Sequence, residues 1–381
     1  MKPDNTAKEP AVAYHREIHS LNQLDMSKRY SYADYFQWKF KERVELIKGL
    51  IYKMSPAPSP THQSVSFKTG LKFGNFFEGV PCAVFTAPFD VRLPDSQKQS
   101  RDEQIYTVVQ PDLCVICDLG KIDKRGCLGP PDLVVEVLSP GNTQKEMGLK
   151  FRLYEENGVK EYWLIHPAQR TITVYSLQSG KYTGIRFSEK EEVCSVLFPK
   201  LKFRIGEIFD ATLFEWYKNV VREPEPAYGS SLSLPADRAA RQLTGMVQAF
   251  FENKPCKLLT ASAGIRFPGS ESEEASTVRH PDLAVICNPD QTDDRGTASI
   301  PDLIIEILTP ESTPGDTGIR YKLYEASGVK EYWLVSPEDK VIFIHVLQDG
   351  KYVVQPPFTE DNEACSSLFP ELKLGLSEVF R

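Results

Sequence analysis

Two carboxylates and one ammonium stand out by the company they keep. Asp112 opens an apolar run in PDLCVIC, and Glu136 lies in the middle of another, PDLVVEVLS. In an extended strand alternate residues share a face. Val134, Glu136 and Leu138 therefore line one side, and Leu133, Val135 and Val137 the other. A lone carboxylate in so apolar a strand is costly unless something neutralises it. A buried ion pair would do so, and so would a cap near the turn. A hard cation such as Mg²⁺ would also serve, since it takes one or two carboxylates together with water and phosphate oxygens. Lys150, on a helical stretch close downstream, can bring an ammonium to the same strand end.

The elements that must position these groups can be read locally. Ser31 is expected to cap a short helix, YADYFQW, and Lys48-Gly49 to turn a β-hairpin in VELIKGLIYKMS. SVSFKTGLKFGNFFEG has apolar residues at helical spacing and ends in glycine. CAVFTAPFDVRL, LCVIC, DLVVEVLS, EYWLIHP and TITVYSL are expected strands. A helix over 143–157 should be capped by Asn142 or Thr143 and stopped by Gly158. This order implies an α/β (α+β) domain with a mixed, curved central sheet flanked by helices.

The pattern occurs twice. From Pro111 to Tyr182 a second copy follows at a constant offset of 170 residues, with 34 of 72 positions identical. FFEGVPC at Phe76 to Cys82 returns as FFENKPC at Phe250 to Cys256. A period this long is a duplicated domain, not a solenoid. The first copy is expected over 27–221, a Pro/Ser/Gly-rich linker over 222–235, and the second copy over 236–381. The second has no counterpart of ELIKGLIYKMSPAPSP and is truncated on its N-terminal side.

PDLVVEVLSPGNTQKEMGLKFRLYEENGVKEYWLIHP, with VELIKGLIYKMSPAPSPTHQ and PFDVRL before it, resembles the signature of the Uma-two family. That family is described as "putative restriction endonucleases" and forms a branch of the PD-(D/E)XK nuclease superfamily. The resemblance covers nearly all of the first copy and implies a restriction-endonuclease-like fold. It places the superfamily's metal-binding acids on Asp112 and Glu136. The usual lysine two residues after the glutamate is absent, because Leu138 stands there, and the matching position is Lys150 on the following helix. Glu45 matches the acid supplied by the N-terminal element. The implied chemistry is hydrolysis of DNA phosphodiester bonds. Asp112, Glu136 and the Val137 carbonyl would hold Mg²⁺ or Mn²⁺, Lys150 would orient the water or offset phosphate charge, and Glu45 would hold a second metal or tune the first.

Bland roles are expected elsewhere. Asp90 either belongs to the site or fixes a strand-end turn. His62 is expected either to face the groove or to cap its helix, Asp132 to serve a strand start and Glu146 a helix first turn. Tyr162 and Trp163 are expected in or beside the core.

The second copy keeps Asp282 and Glu306, but Arg320 replaces Lys150, Gly264 falls where Asp90 was, and nothing replaces Glu45. Lys322 is about 200° around a helix from Arg320 and should not substitute. A structural or weakly active second copy is the expectation, the pair forming a pseudo-dimer within one chain, with a homodimer also open.

Composition sets limits. Hydrophobic residues are 41% and charged ones 25%, a soluble globular balance. The net charge of −7 argues against a broad basic surface. It favours, as the competing function, a catalytically inactive nucleic-acid-binding or scaffold protein on the same fold. No apolar run reaches membrane-span length and no secretory h-region is visible, so the cytoplasm is expected. The eight cysteines are expected to be buried thiols in a reducing compartment rather than disulfides or a zinc site, because Cys114 and Cys117 point to opposite faces of one strand.

Overall fold

Local chemistry sets the first turns of the chain. Ser31 caps α1 (Tyr32–Tyr35), accepting from the Asp34 amide while the Asp34 carboxylate returns to the Ser31 amide. β1 (Val44–Ile47) and β2 (Leu50–Lys53) are joined by Lys48 and Gly49, both at positive φ (52° and 85°), the turn that matches strand twist. α2 (Pro60–Phe77) starts at a Ser59 cap. There follow β3 (Ala83–Thr86), β4 (Val91–Arg92), β5 (Val108–Val109), β6 (Leu113–Ile116), β7 (Ile122–Asp123), β8 (Gly126–Leu128) and β9 (Leu133–Val137). α3 (Gln144–Glu156) leads to β10 (Glu161–His166), β11 (Thr171–Gln178), β12 (Lys181–Ser188) and the hairpin of β13 (Glu192–Cys194) with β14 (Lys202–Arg204). Gly158, at φ 78°, ends the α3 helix.

The second copy begins with α4 (Pro235–Phe251) and continues through β15 (Lys257–Thr260), β16 (Ile265–Phe267), β17 (Thr277–Arg279), β18 (Leu283–Ile286), β19 (Thr292–Asp293), β20 (Gly296–Thr297) and β21 (Leu303–Ile307). α5 (Pro314–Ser327), β22 (Glu331–Ser336), β23 (Val341–Gln348), β24 (Lys351–Val354), β25 (Glu363–Cys365), β26 (Lys373–Gly375) and α6 (Leu376–Val379) complete it. This computed structural model describes residues 18–54, 59–94, 101–138, 144–209, 235–260, 264–267, 277–287, 292–293, 296–297, 300–309, 312, 314–359 and 362–381. The expected caps Asn142 and Thr143, the Glu146 side chain and nearly all of the expected linker lie outside them.

Both copies build a central sheet in the same order, β3-β6-β9-β10-β11-β12 and β15-β18-β21-β22-β23-β24. Each has one parallel pair, β9 with β10 and β21 with β22, spanned by α3 or α5. A parallel pair requires such a crossover, and here the crossover carries Lys150 or Arg320 over the sheet. A side sheet, β2-β1-β5-β4-β8-β7, lies N-terminal in the first copy, whereas the described residues of the second form β17-β16-β20-β19. CAVFTAPFDVRL divides where a single strand was expected: β3 joins the central sheet and β4 the side sheet. Pro88 between them has no N–H to extend a ladder.

Strand alternation sorts the core. Leu133, Val135 and Val137 face α2 with Val65, Phe73 and Phe77, while Val134 and Leu138 face α3 with Phe151 and Tyr154. Tyr162 and Trp163 are fully enclosed, on opposite faces of β10.

The two central sheets join edge to edge through β12 and β24, with Gly184 opposite Val354, into one sheet of 12 strands. Only glycine fits at position 184, since a Cβ there would lie 2.6 Å from the Tyr175 ring and 3.2 Å from the Val354 carbonyl. Contacts across the joint come in matched pairs. Gly148 packs on Thr359, and its counterpart Gly318 on Ser188. Arg152 reaches Asn362 at 3.4 Å, and its counterpart Lys322 reaches Glu191 at 3.1 Å. Lys322 thus turns away from its own copy's acids.

The cysteine expectation is corrected. Cys82 bonds Cys117, and Cys256 bonds Cys287. β3 and β6 pair Ala83 with Ile116, so the next residues, Cys82 and Cys117, stand directly opposite with Cα atoms 4.0 Å apart. Short-range spacing could not reveal a partner across strands. The cysteine argument for a reducing compartment loses its support. Cys114 and Cys127 remain buried thiols. No helix among the described residues is long and apolar enough to cross a membrane.

Candidate functional site

The antiparallel register of β6 and β9 pairs Leu113 with Val135, and one step further sets Asp112 opposite Glu136. The Val137 amide donates to Asp112 Oδ2 at 2.8 Å, tying the acid to the neighbouring strand end. Glu136 stays on the α3 side of the sheet and is 6% exposed. On α3, Lys150 and Tyr154 are four residues apart and share one helix face. Both reach Glu136 Oε1, the Lys150 ammonium at 3.0 Å and the Tyr154 hydroxyl at 2.7 Å.

Glu45 arrives from the side sheet. Val44 and Leu46 pack into a cluster with Tyr30 and Tyr32, so alternation turns Glu45 and Ile47 toward the central sheet. Glu45 Oε1 lies 3.0 Å from the Lys150 ammonium and accepts from the Gln110 amide at 2.7 Å. The structure therefore brings Glu45, Glu136 and Lys150 into direct contact, with Asp112 across the strand pair.

For His62 the structure separates the two expected places. Ser59 supplies the helix cap, and the His62 imidazole instead lies 3.3 Å from Asp112 Oδ2. Burial disfavours its charge, but Asp112, Glu136 and the Val137 backbone outweigh this and raise its pKa. Asp90 does not join the cluster. Its carboxylate accepts from Gln110 Nε2 at 2.8 Å and meets the Tyr32 and Tyr35 hydroxyls at 3.5 Å, fastening α1 to the side sheet. Asp132 accepts from the Cys117 amide and Lys160 at a strand start.

The electrostatics are lopsided. Three acids surround one lysine and one imidazole, all largely enclosed. Burial lifts Glu136 above the ordinary carboxylate range; Lys150 opposes this, while Asp112 and Glu45 add to it. Burial works against the Lys150 charge, yet Glu136 and Glu45 prevail and hold the ammonium above lysine's usual range. Asp112 Oδ1 and Glu136 Oε2 carry no hydrogen bond among the described residues. The donor set, free carboxylate oxygens beside a strand-end carbonyl with surplus negative charge, fits a hard divalent cation. Among the described residues no three His, Cys, Asp or Glu side chains already form a coordination shell, because Lys150 stands between Glu45 and Glu136.

The second copy repeats half of this. The Ile307 amide donates to Asp282 Oδ2 at 2.7 Å, and the Tyr324 hydroxyl to Glu306 Oε1 at 2.6 Å. Arg320 pairs with Glu306 but is 38% exposed at its side chain, against 9% for Lys150, since no Glu45 layer covers it. A Cβ on Gly264 would lie 3.2 Å from His280 Cε1, so the histidine at the Gln110 position stands against the place Asp90 would extend from. Sequence reading missed Tyr154 and Gln110. Only Tyr154 had a local signal, its four-residue spacing from Lys150.

A family model described as "Putative restriction endonuclease" matches residues 32–206 and 230–377. An uncharacterized protein of Synechocystis sp. is 30% identical over 145 residues, which are 37% of this chain and 71% of that protein. A crystal structure titled as a "putative nuclease belonging to DUF820" from Anabaena variabilis is similar at 19% identity and a TM-score of 0.38, covering 47% of this chain and 97% of that one. With both of its stretches matched, the chain belongs to the Uma2 family, whose members are described as "Putative restriction endonuclease".

Proposed function

We propose that this chain is a metal-dependent endonuclease that hydrolyses DNA phosphodiester bonds, with the first copy carrying the chemistry. The observation that carries the reading is a set of three largely enclosed acids at one end of the central sheet, Glu45 and Glu136 sharing Lys150 and Asp112 meeting His62. Structural ion pairs seldom bury more acid than base, because each unpaired charge costs several kcal/mol. Asp112, Glu136 and the Val137 carbonyl would hold Mg²⁺ or Mn²⁺. When bound, such a cation makes a water nucleophilic near neutral pH and offsets charge on the phosphate.

The chain's own groups do the rest. Tyr154 fixes the rotation of Glu136 through Oε1, leaving Oε2 without a hydrogen bond among the described residues. Glu136 and Glu45 keep the Lys150 ammonium charged and Glu45 positions it, so it can orient the attacking water and stabilise negative charge developing on phosphorus. His62 holds the Asp112 carboxylate in place.

For the second copy a structural role is favoured by one observation: Arg320 is 38% exposed beside Glu306, with no third acid to position it among the described residues. Arginine's planar fork also differs from a compact ammonium at the place where water would be oriented. That copy serves as the fixed half of a pseudo-dimer across β12 and β24.

Incubating purified protein with supercoiled plasmid and Mg²⁺ or Mn²⁺ tests the reading. Nicking that disappears with EDTA and with Glu136→Ala is expected. Plasmid left intact under both metals would leave a binding protein on a nuclease fold.

A further inference from the structure

Beside the acid cluster α2 carries a groove of about 450 Å³ whose inner end is formed by Asp112 and His62. Phe67 and Leu71 line it while 67% and 48% exposed, an unusual cost for large apolar groups on a helix. Gly70 and Gly74 give it room: a Cβ on Gly74 would meet nothing within 4 Å, and one on Gly70 only the Thr86 methyl at 3.6 Å. Arg43 stands on its lining. The Arg43 guanidinium donates to Gln110 Oε1 at 2.8 Å and has no carboxylate partner among the described residues.

The second copy shows which part of α2 is architecture. With Phe76 and Phe77 set on Phe250 and Phe251, the buried stripe Val65, Thr69, Phe73 and Phe77 falls on Ala239, Leu243, Val247 and Phe251, all buried. The groove stripe does not persist. His62, Phe67, Gly70 and Gly74 become Ala236, Arg241, Thr244 and Gln248. The packing stripe is kept and the groove stripe is replaced in the copy that also lacks a counterpart of Glu45.

We propose that this groove binds one unstacked nucleotide of a single-stranded nucleic acid, its base laid on the Phe67 ring and its backbone running past Arg43 to the acid cluster. This rests on the nuclease reading of that cluster. The space suits a small ligand rather than a duplex, whose stacked bases cannot enter a slot on one helix face. An exposed aromatic beside a cation is the usual platform for a single strand, because every base offers a π-face. The chain's net charge of −7 also disfavours a long duplex track, whereas one short slot needs few cations.

The test measures anisotropy of labelled oligothymidine, oligouridine and a blunt DNA duplex with the full chain in EDTA, where metal-dependent cleavage cannot intrude. Phe67→Ala and Gly74→Leu alter the groove at positions open to solvent, and thermal melts check that folding is unchanged. The wild-type chain is expected to prefer a single strand, of either sugar, over duplex. Each variant should weaken that binding at least about fivefold, the cost of losing one base–aromatic stack, and leave duplex binding unchanged. Equal affinities in wild type and variants, or a preference for duplex, overturn the groove assignment and leave the groove to an apolar partner. Plasmid cleavage separates the two readings. Nicking by both variants at the wild-type rate, with unchanged oligonucleotide binding, removes only the groove. Groove-dependent binding without any nicking in Mg²⁺ keeps the groove and removes the catalytic reading.

Discussion

Glu136 and Glu306 hold the same place on equivalent strands and accept a hydrogen bond from equivalent tyrosines, Tyr154 at 2.7 Å and Tyr324 at 2.6 Å, yet they face different cations. Glu136 meets an ammonium that a second acid, Glu45, fixes from the far side. Glu306 meets the half-exposed guanidinium of Arg320. Equal framing with unequal chemistry makes the two glutamates a matched pair for experiment. Glu136→Ala is expected to abolish metal-dependent nicking, whereas Glu306→Ala should lower it only modestly. Both substitutions remove the same atoms from the same kind of strand, so melts should register similar losses and nicking rates should not.

A cation that binds the acid cluster should be visible without any substrate. A ligand that binds only the folded state raises its stability by RT ln(1 + [L]/Kd), about 2.7 kcal/mol at a hundredfold excess over Kd. Millimolar Mg²⁺ is therefore expected to raise the wild-type melting temperature. Asp112→Asn should remove the increment, since it keeps the shape of the side chain but not its charge. Differential scanning fluorimetry with and without EDTA measures it.

Lys150 carries a stability prediction of its own. Lys150→Met leaves Glu45 and Glu136 buried without a counter-charge, a loss of about 3–5 kcal/mol for a buried pair broken on one side. The deficit should shrink as pH falls, because burial already raises the Glu136 pKa and its protonation removes an unpaired charge. Urea unfolding of wild type and variant at neutral and mildly acidic pH would show the two converging. A constant gap would mean that lost packing, not charge, dominates.

How much of this was legible depends on the range of each contact. Asp112, Glu136 and Lys150 could be placed from sequence because strand period and a strand–helix–strand crossover are local properties. The repeat was legible for the same reason that it needs no gap. For His62 the sequence left groove and cap both open: α2 presents one face to the sheet, and which other side chain then lands on Asp112 is decided by packing between distant elements. The disulfides failed similarly, since Cys82 meets Cys117 only through the register of two strands. The joint at β12 and β24 had just one local trace, Gly184, whose meaning depends on the approach of Tyr175 and Val354.

Those disulfides should contribute to stability through the unfolded chain. Cys82–Cys117 closes a separation of 35 residues, which corresponds to roughly 4 kcal/mol in the chain-entropy model. A Cys82→Ser/Cys117→Ser double variant is expected to unfold at distinctly lower urea concentration than the oxidised wild type. Adding reductant should lower the wild type toward the variant and leave the variant, which keeps only Cys256–Cys287, less affected. Alkylation and mass measurement before and after reduction count the thiols released.

The joint between the copies contains a histidine that acid should exploit. His345 lies on β23, enclosed by Tyr321, Tyr332 and Tyr352, with Nδ1 3.0 Å from the Tyr332 carbonyl and Nε2 without a partner among the described residues. Burial first, and then the nearby Arg186, pushes its pKa down from 6.5 to about 3. A group whose folded pKa lies below its unfolded value binds fewer protons when folded. Its stabilising effect is therefore complete above pH 6.5 and declines as pH falls toward 3. The decline amounts to about 1.4 kcal/mol for each pH unit within that window. The equivalent position in the first copy is Tyr175, which does not titrate there, so His345→Phe keeps an aromatic ring of similar bulk and removes the titration. Urea unfolding between neutral pH and pH 4 should show the variant losing less stability than the wild type, with the two curves parallel above pH 7. Because Arg186 sits 5.4 Å from the centre of the Tyr321 ring across the joint, the acid-induced loss should begin between the copies. Hydrogen exchange at pH 5 is expected to rise first in β12 and β24, before the strands that carry Asp112 and Glu136.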